Sequence, residues 1–385
     1  MNKKLFTALM VLCISGLVVA CYYRREVKFL ITRQVSLCSR IKSLPYAEKK
    51  GIVKRVTNVN IPGIFAPYNP GLIAHEDGFV LVFRHDVKER KKILGIPTHW
   101  KKKFSFGELK MPLCTLISAA PLNSNFQVTS SPVRIDTGSD FSEDPRLFSM
   151  KDQVYIIYND LEDNNIESRT IHLAKLDTKT FKISEHVNLA QNFQRVEKNW
   201  VPFVCEQDGN PQLYFSYSFH PRVILQMKDP ANNDLTRFLQ PNYAAIQNIP
   251  WKDSWGVIRG GTPGILVDGQ YVAFFHSFFK EQKKIWYVMG AYTFESTPPF
   301  RVTSCSVQPI RFEQMYKTKI KGSGSSRKPV IFPSGIVLGK EEGRDVLHVA
   351  CGENDCGIQI VTFDKEALLK SLKKIPIYNE KIYFP

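Results

Sequence analysis

Two adjacent acidic residues, Glu143 and Asp144, lie beside an arginine in the segment SEDPRLF, which begins at Ser142. Making or breaking a glycosidic bond requires a proton donor for the departing oxygen, and a carboxylic acid is the usual donor. The neighbouring carboxylate raises the pKa of one of the two acids, whereas the Arg146 charge acts in the opposite direction. Asp144 is therefore a candidate general acid, and the alternative is a structural salt bridge between Asp144 and Arg146.

Comparable polar clusters precede apolar strands elsewhere in the chain. They are Asn69; Glu143, Asp144 and Arg146; Glu197, Lys198 and Asn199; Arg259 and Thr262; and Arg327 and Lys328. A solvated loop would tolerate serine or glycine at such positions, so the recurring charges predict a polar central pocket. Acidic residues beside arginines and aromatic rings are typical of carbohydrate sites, and we expect Glu143, Asn199 and Trp200 among the substrate-binding residues.

The co-substrate depends on which further groups surround this pocket. A hydrolase needs a second carboxylate to activate water, and Glu197, Glu353 and Asp355 are candidates. A phosphorylase needs a cationic pocket instead, and charge-assisted hydrogen bonds to phosphate are available from Arg169, Lys198, Arg259, His276, Arg327 and Lys328. No His, Asp and Glu residues have the spacing of a metal site. We expect no cofactor, with inorganic phosphate or a sugar phosphate as co-substrate.

One hairpin pattern recurs five times and must position these clusters. In each copy a polar cluster meets a short apolar strand, a turn such as Asp77-Gly78, and a strand rich in Val, Ile, Phe and Tyr. The copies are anchored at Pro70, Pro145, Trp200, Pro263 and Pro329. Helical periodicity is weak from residue 60 to 360. The repeats predict an all-β, five-bladed β-propeller over residues 61–385, with equivalent positions at one end of its channel.

The amino terminus carries a membrane signal. Leu5–Tyr23 is apolar and free of charge, and it has about the length that spans a hydrocarbon core. We predict a single-pass transmembrane anchor over residues 1–24 and a basic stalk or linker over residues 25–60. A lipoprotein cleaved before Cys21 and a secreted protein with a cleaved signal peptide are the alternatives. Basic residues after the apolar stretch favour a cytoplasmic location for the body of the protein.

The formal net charge of +16 is distributed unevenly. Residues 1–55 carry twelve Lys and Arg against two Glu, and segment 88–103 carries seven against one. The rest of the chain is near neutral and contains no nucleic-acid motif, so we expect no nucleic-acid partner. The eight cysteines are scattered, which predicts free thiols rather than a disulfide framework.

Several motifs together resemble those of glycoside hydrolase family 130, the β-mannoside phosphorylases, and the related mannosyltransferase-phosphorylases of glycosyltransferase family 108. The resemblance runs from about Ile61 to Leu372. It rests on NPGLI with Arg84 closing the next strand, EDPRLF, EKNWVPF, the YS and HP pairs at 217–221, GGTPGIL, FFHS, GAYTFE and FPSGIV followed by CGENDCGI.

The resemblance implies a five-bladed propeller and an inverting enzyme that acts on β-mannosides. It implies that Asp144 is the general acid and that His276 binds phosphate together with basic residues. It also implies that the sugar is held by Asn69, Arg84, Arg146 and Asp355. The leading prediction is a mannoside phosphorylase or a mannosyltransferase, acting on an oligosaccharide or glycolipid. A hydrolase on the same propeller and a non-catalytic sugar-binding propeller are the alternatives.

Overall fold

The computed structural model describes residues 37–86, 92–93, 96–97, 114–162, 165–189, 193–219, 222–229, 234–239, 248–318 and 328–376. Across these ranges the chain forms four four-stranded sheets, one six-stranded sheet and a two-stranded ribbon. The five larger sheets are antiparallel blades that follow one another along the chain. The predicted anchor and the stalk up to residue 36 lie outside the described residues.

Blades 1 to 3 are each built from four strands that run in chain order from the channel outwards, and in blade 1 a two-stranded ribbon falls between the second and third strands. Blade 1 contains Pro67–His75, Gly78–Asp86, Thr115–Leu122 and Val133–Arg134. Blade 2 contains Glu143–Met150, Gln153–Glu162, Asn165–Leu176 and Ile183–Asn188. Blade 3 contains Val201–Gln207, Asn210–Phe219, Arg222–Asp229 and Asp234–Leu239.

Blades 4 and 5 depart slightly from this simple order. Blade 4 contains Arg259–Gly260 and Ile265–Val267, Gln270–Glu281, Lys284–Glu295, Val302–Cys305 and Lys373–Lys374. Blade 5 contains Ile331–Glu341, Arg344–Glu353, Gly357–Asp364 and Val53–Val59. The two-stranded ribbon pairs Lys92–Ile93 with Ile96–Pro97.

Helices are few and short in the described part of the chain. They are the α-helices Ser39–Lys42 and Lys365–Ser371 and the 3₁₀-helices Glu48–Lys50 and Asp253–Trp255. The longer α-helix is preceded by its N-cap residue Asp364, whose side chain accepts a hydrogen bond from the Ala367 backbone N–H, as N-cap residues do. None of these described helices has the length and apolarity needed to cross a membrane.

The blades close into a ring because the inner strands of neighbouring blades contact one another. These contacts join blades 1 and 2, 2 and 3, 3 and 4, 4 and 5, and 5 and 1. Glycines allow the close approach at the channel. A Cβ atom on Gly260 would lie 2.0 Å from the Asn199 carbonyl oxygen, and one on Gly335 would lie 2.5 Å from the Leu72 nitrogen. The predicted all-β, five-bladed propeller is confirmed.

The propeller begins earlier than the predicted boundary at residue 61. Val53–Val59, placed by the sequence in a linker, is the outermost strand of blade 5 and pairs with Gly357–Asp364. The segment before it packs against the fold, with Cys38 and Ile41 fully buried. Segment 37–60 is therefore part of the propeller, because it supplies the strand that the carboxyl-terminal part of blade 5 lacks.

The core lies between the sheets and is rich in aromatic residues. Phe274, Phe275 and Trp286 have no exposed surface, and they belong to one cluster that spans blades 3 to 5. The cysteines among the described residues are free thiols, as the sequence predicts. Cys351 packs beside the Met289 sulfur rather than forming a bridge to Cys356.

Candidate active site

The innermost strands of blades 1 and 2 carry the same irregularity at the same place. The pairing register shifts between Tyr68 and Gly71 in blade 1 and between Glu143 and Arg146 in blade 2. A bulge of this kind redirects a side chain out of the normal alternation. The residues within the two bulges, Asn69 and Asp144, have left-handed φ angles of 47° and 55°. Asn and Asp tolerate this conformation better than other non-glycine residues.

The Asp144 carboxylate is buried and held by two donors. Asn69 Nδ2 donates to Oδ1 at 2.7 Å, and Arg84 Nη1 donates to the same oxygen at 3.2 Å. Burial by itself would raise the pKa of Asp144. The charges of Arg84 and Lys198 and the Asn69 hydrogen bond outweigh burial and lower that pKa to about 2. Asp144 is therefore ionised at neutral pH in the unliganded protein.

Glu143 joins three cations in a buried network. Its Oε1 accepts from Arg84 Nη2 and from Arg169 Nη2, each at 2.8 Å. Its Oε2 accepts from Lys198 Nζ at 2.9 Å. Glu143 thus positions these side chains around Asp144 and is not itself presented to a substrate in this arrangement. Asp86 also acts on Arg84, so these three cations face three carboxylates, and a further anion such as phosphate needs a cation with N–H donors to spare.

Arg169 and Lys198 differ in their capacity to bind that anion. Arg169 Nη1 also donates to the Phe141 carbonyl at 3.0 Å and to Asn159 Oδ1 at 3.1 Å. These bonds use three of its five N–H donors and only 11% of its side chain is exposed, so Arg169 fits the predicted phosphate-binding role less well than Lys198. Lys198 has a third of its side chain exposed, and an ammonium group has three N–H donors, so it can bind a ligand without leaving Glu143.

Arg146 links blade 2 to blade 4 across the channel. Its Nε donates to the Gly261 carbonyl at 2.6 Å, and its Nη1 donates to the backbone carbonyl of Asp144 at 3.2 Å. The alternative of a salt bridge between the Asp144 and Arg146 side chains is therefore not found. Burial lowers the pKa of Arg146 to about 10, against the effect of the Asp144 charge.

His276 lies on the second strand of blade 4 and is almost completely buried. Its ring centre is 4.5 Å from that of Phe332, and its Nδ1 has no hydrogen-bond partner among the described residues. Burial, followed by the positive charges of Arg146 and Arg259, lowers the pKa of His276 to about 3. The imidazole is therefore neutral, and it can meet an anion as a neutral N–H donor but not as a cation.

The remaining predicted phosphate ligands lie nearer the surface. Arg259 is exposed and packs over the Phe278 ring at 5.0 Å. Lys328 is exposed just before the innermost strand of blade 5. Arg327 lies outside the described residues.

Trp200 and Asn199, two predicted substrate ligands, lie at the start of blade 3. Trp200 is 1% exposed, its Nε1 donates to Glu197 Oε2 at 3.0 Å, and its ring packs against Phe215 and Tyr217. It therefore belongs to the core and offers no free face to a sugar. Asn199, directly before it, is partly buried. Its φ angle of 65° lies in the left-handed region.

Asp355 is partly buried at the end of blade 5 that carries Glu353. Burial above all, and then negative charges that include Asp355, raise the pKa of Tyr68. Burial and Asp355 likewise raise the pKa of Tyr287. Because the charge of Asp355 acts on Tyr68, Asp355 lies at the same end of the channel as the network around Glu143.

Tyr68 and Asp86 are site residues that the sequence analysis missed. The Tyr68 hydroxyl donates to Asp86 Oδ1 at 2.8 Å, and the Arg84 guanidinium lies 4.9 Å from the centre of the Tyr68 ring. Tyr68 and Arg84 are direct partners in the blade 1 hairpin. The register of that hairpin, extended back from the Asp77-Gly78 turn, would have paired Arg84 with Asn69, and it is the bulge that brings Tyr68 opposite Arg84.

Comparison with known proteins supports the fold. The β-1,2-mannobiose phosphorylase from Listeria innocua, solved with β-1,2-mannobiose, matches with a TM-score of 0.54 and 14% identity, covering 85% of this chain and 98% of that one. A mannose phosphorylase from Leishmania mexicana, solved with a phosphate ion, matches with a TM-score of 0.51 and 12% identity, covering 88% and 96%. The fold is that of family 130 mannoside phosphorylases.

A third structure extends the comparison to hydrolases. It comes from work on glycoside hydrolases within this family that target β-1,2-mannosidic linkages in Candida mannan. It matches with a TM-score of 0.55 and 12% identity, covering 78% of this chain and 85% of that one. Neither a family model nor a curated protein sequence matches this chain. At these identities the likeness shows a common fold.

Proposed function

We propose that this protein is a carbohydrate-active enzyme that transfers β-linked mannose, as a mannosyltransferase or as a mannoside phosphorylase, with inversion. The observation that carries the proposal is the Asp144 carboxylate. A left-handed bulge holds it at one end of the channel, where Asn69 and Arg84 fix its orientation. The neighbours that share this propeller include enzymes for β-1,2-mannobiose and mannose phosphorolysis.

The protonation state of Asp144 bears on the direction of reaction. A pKa of about 2 leaves it ionised at neutral pH, and an ionised carboxylate can accept the proton of an acceptor hydroxyl during mannosyl transfer. In phosphorolysis the same group must start protonated to assist the departing oxygen. An anion bound beside Lys198 would offset the cationic field and raise the pKa of Asp144. In the unliganded site Asp144 is thus ionised, and phosphorolysis requires it to gain a proton when its substrates bind.

Phosphate or a sugar phosphate is the co-substrate that best fits the surrounding charges. Lys198 remains partly exposed beside the Glu143 carboxylate. His276 adds a neutral imidazole whose Nδ1 has no described partner. These two side chains, with exposed Arg259 and Lys328 nearer the surface, are the groups we assign to the phosphate.

A hydrolase would use Asp355 as the base that activates water. Of the three carboxylates considered, Glu197 is occupied by Trp200 Nε1 and the Gln194 backbone N–H. Glu353 is fully buried and accepts from Thr318. Only Asp355 is partly exposed, so the hydrolase alternative depends on this residue.

The test is a direct assay of the full-length protein. It is incubated with mannose 1-phosphate or GDP-mannose and a panel of mannosides, and products are detected by mass spectrometry. We expect a lengthened mannoside, and release of phosphate when mannose 1-phosphate is the donor. Absence of product with either donor, together with phosphate-independent cleavage of mannosides that is lost in Asp355→Asn, would replace the proposal by the hydrolase.

A further inference from the structure

Four exposed lysines surround one side of the active-site end of blade 4. Lys280, Lys283 and Lys284 lie in or beside the turn between the second and third strands, and Lys252 lies in the segment that leads to Arg259–Gly260. We call these four residues the lysine rim. The two parts of the rim are neighbours because Arg40 contacts both. Its Nη1 donates to the Ser254 carbonyl at 2.6 Å, and its Nε lies 3.0 Å from Glu281 Oε2.

The topology places this rim at the same end as Asp144. Each innermost strand begins at the active-site end and turns at the opposite end, so each second strand returns to the active-site end. The turn after Glu281 therefore projects from that end. The nearby acidic residues offset little of the positive charge of the rim. Glu281 is already bound by Arg40 and Ser39, and Asp253 is an exposed acid beside Lys252.

The first described residues pack beside this rim, where they contact Glu281. The backbone N–H and the hydroxyl of Ser39 donate to Glu281 Oε1 at 2.9 and 2.8 Å, and Cys38 is fully buried. From Ser39 the chain runs along blades 4 and 5 to the strand Val53–Val59, which starts at the far end, where Val53 pairs with Phe363. The described part of the chain therefore begins at the active-site end of the propeller.

Chain length limits how far the amino terminus can carry this end from a membrane. Between Tyr23, the last residue of the apolar stretch, and Leu37, the chain can reach at most roughly 50 Å when fully extended. The intervening sequence includes Arg24, Arg25, Lys28 and Arg33. Basic residues close to an anionic bilayer are attracted to it. Both the position of Leu37 and the basic residues before it therefore favour the active-site end as the end of the propeller that faces a membrane.

We propose that the lysine rim docks on an anionic lipid surface and turns the active-site end of the propeller towards that surface. The docking stands independently of the catalysed reaction. Combined with the proposed function, on which this consequence rests, it identifies the acceptor as a mannoside carried by the membrane. A soluble acceptor would gain nothing from this orientation, whereas a lipid-borne glycan would be held near Asp144.

The test uses the full-length protein in vesicles of phosphatidylcholine, with or without phosphatidylglycerol. Lysines are acetylated briefly with an amine-reactive reagent and the extent of labelling is read by mass spectrometry. Lys151, Lys179 and Lys182, all exposed at the opposite end of blade 2, are the internal reference. In anionic vesicles we expect the rim lysines to react roughly fivefold more slowly than in neutral vesicles, and high salt to abolish the difference. The reference lysines should not change.

A matched pair of triple variants completes the experiment. Replacing Lys280, Lys283 and Lys284 by Glu should remove the protection of Lys252, whereas replacing Lys151, Lys179 and Lys182 by Glu should leave it intact. Equal labelling of the rim in both vesicle types, or protection of the opposite end instead, would overturn the proposal. So would protection that appears in neutral vesicles and grows with protein concentration, because the occupant would then be a second copy of the chain. Labelling needs no turnover, so an inactive enzyme leaves this result readable.

Discussion

Asn69 and Asp144 occupy equivalent bulges in blades 1 and 2 and are joined by a hydrogen bond of 2.7 Å from Nδ2 to Oδ1. Both have left-handed backbones, with φ angles of 47° and 55°. A Cβ atom on Gly352 would lie 2.3 Å from Asn69 Oδ1, so the backbone of blade 5 packs closely against this amide from the other side. Three blades thus meet at the bond that orients the proposed catalytic carboxylate.

Replacing Asp144 by Asn should reduce turnover at least about 100-fold, because general acid–base catalysis contributes roughly 100- to 10,000-fold. Asparagine retains the shape and tolerates the positive φ angle. The measurement is the steady-state kcat with mannose 1-phosphate and an acceptor. Asp140→Asn is a suitable control, since Asp140 is exposed and pairs with Arg134 on the surface. Near-normal turnover in folded Asp144→Asn would remove Asp144 from the mechanism.

Asn69→Gly should shift the pH dependence of the reaction. Glycine accepts the left-handed backbone but removes the donor that stabilises the ionised Asp144, so the pKa of Asp144 should rise from about 2. A hydrogen bond to a charged group contributes about 1.5–3 kcal/mol, and kcat/KM should fall roughly 10- to 100-fold. The pH profile of kcat/KM is the measurement, and an unchanged acidic limb would contradict the assigned role.

Asn69→Ala then separates strain from chemistry. It should match Asn69→Gly in the pH profile of kcat/KM. Its free energy of unfolding should be lower than that of Asn69→Gly by about 1 kcal/mol, because alanine is strained at a positive φ angle.

Replacing Lys198 and replacing Arg169 should have different effects on the stability that phosphate adds to the protein. Inorganic phosphate at about 100 times its Kd should raise the unfolding free energy by roughly 2.7 kcal/mol by mass action. Lys198→Met should lose most of this gain, and Lys151→Met, at the opposite end of the propeller, should keep it. Arg169→Met should destabilise the protein even without phosphate, by about 3–5 kcal/mol, because it breaks a buried ion pair with Glu143. Thermal unfolding with and without phosphate measures both, and an identical response of the Lys198 and Arg169 variants would refute the distinction.

His276 should make the protein less stable as the pH falls. Its pKa is lowered to about 3 in the folded state, and an unperturbed histidine titrates near 6.5. Between these two values the unfolded chain binds a proton that the folded chain does not, so stability is lost on acidification by about 1.4 kcal/mol per pH unit for one such group. His276→Asn should show a shallower loss over this range in urea titrations. Parallel curves for the two proteins would show that His276 is not the group responsible.

The propeller fold could be predicted from the sequence because each blade repeats a local pattern of polar cluster, apolar strand, turn and second strand. It was also sufficient to bring Asn69 and Asp144 together, because equivalent positions of successive blades meet at the channel, whereas Arg84 was indicated only by the family resemblance. The strand Val53–Val59 could not be found in this way. Its partner, Gly357–Asp364, lies at the other end of the chain, and alternating strand residues in a basic segment look like a linker until the partner is known.

Trp200 and Glu143 show a second limit of the sequence. A tryptophan at a repeat anchor can face a sugar or the core, and the choice depends on where its indole nitrogen finds an acceptor, which in this protein is Glu197. The Glu143 carboxylate likewise looks like a substrate ligand until the three cations that surround it are known. Arg84 and Lys198 come from blade 1 and from the start of blade 3, and no local pattern indicates this convergence.

Blade 5, which pairs strands from the two ends of the propeller sequence, also constrains the order of folding events during translation. Val53–Val59 leaves the ribosome about 300 residues before its partner Gly357–Asp364, which at 5–20 residues per second is a wait of roughly 15–60 s. Throughout this interval the strand has an unsatisfied edge and the ring is open. Any nascent chain that is released before residue 357 lacks the means to lock its first blade to its last, so completion of the propeller reports completion of translation.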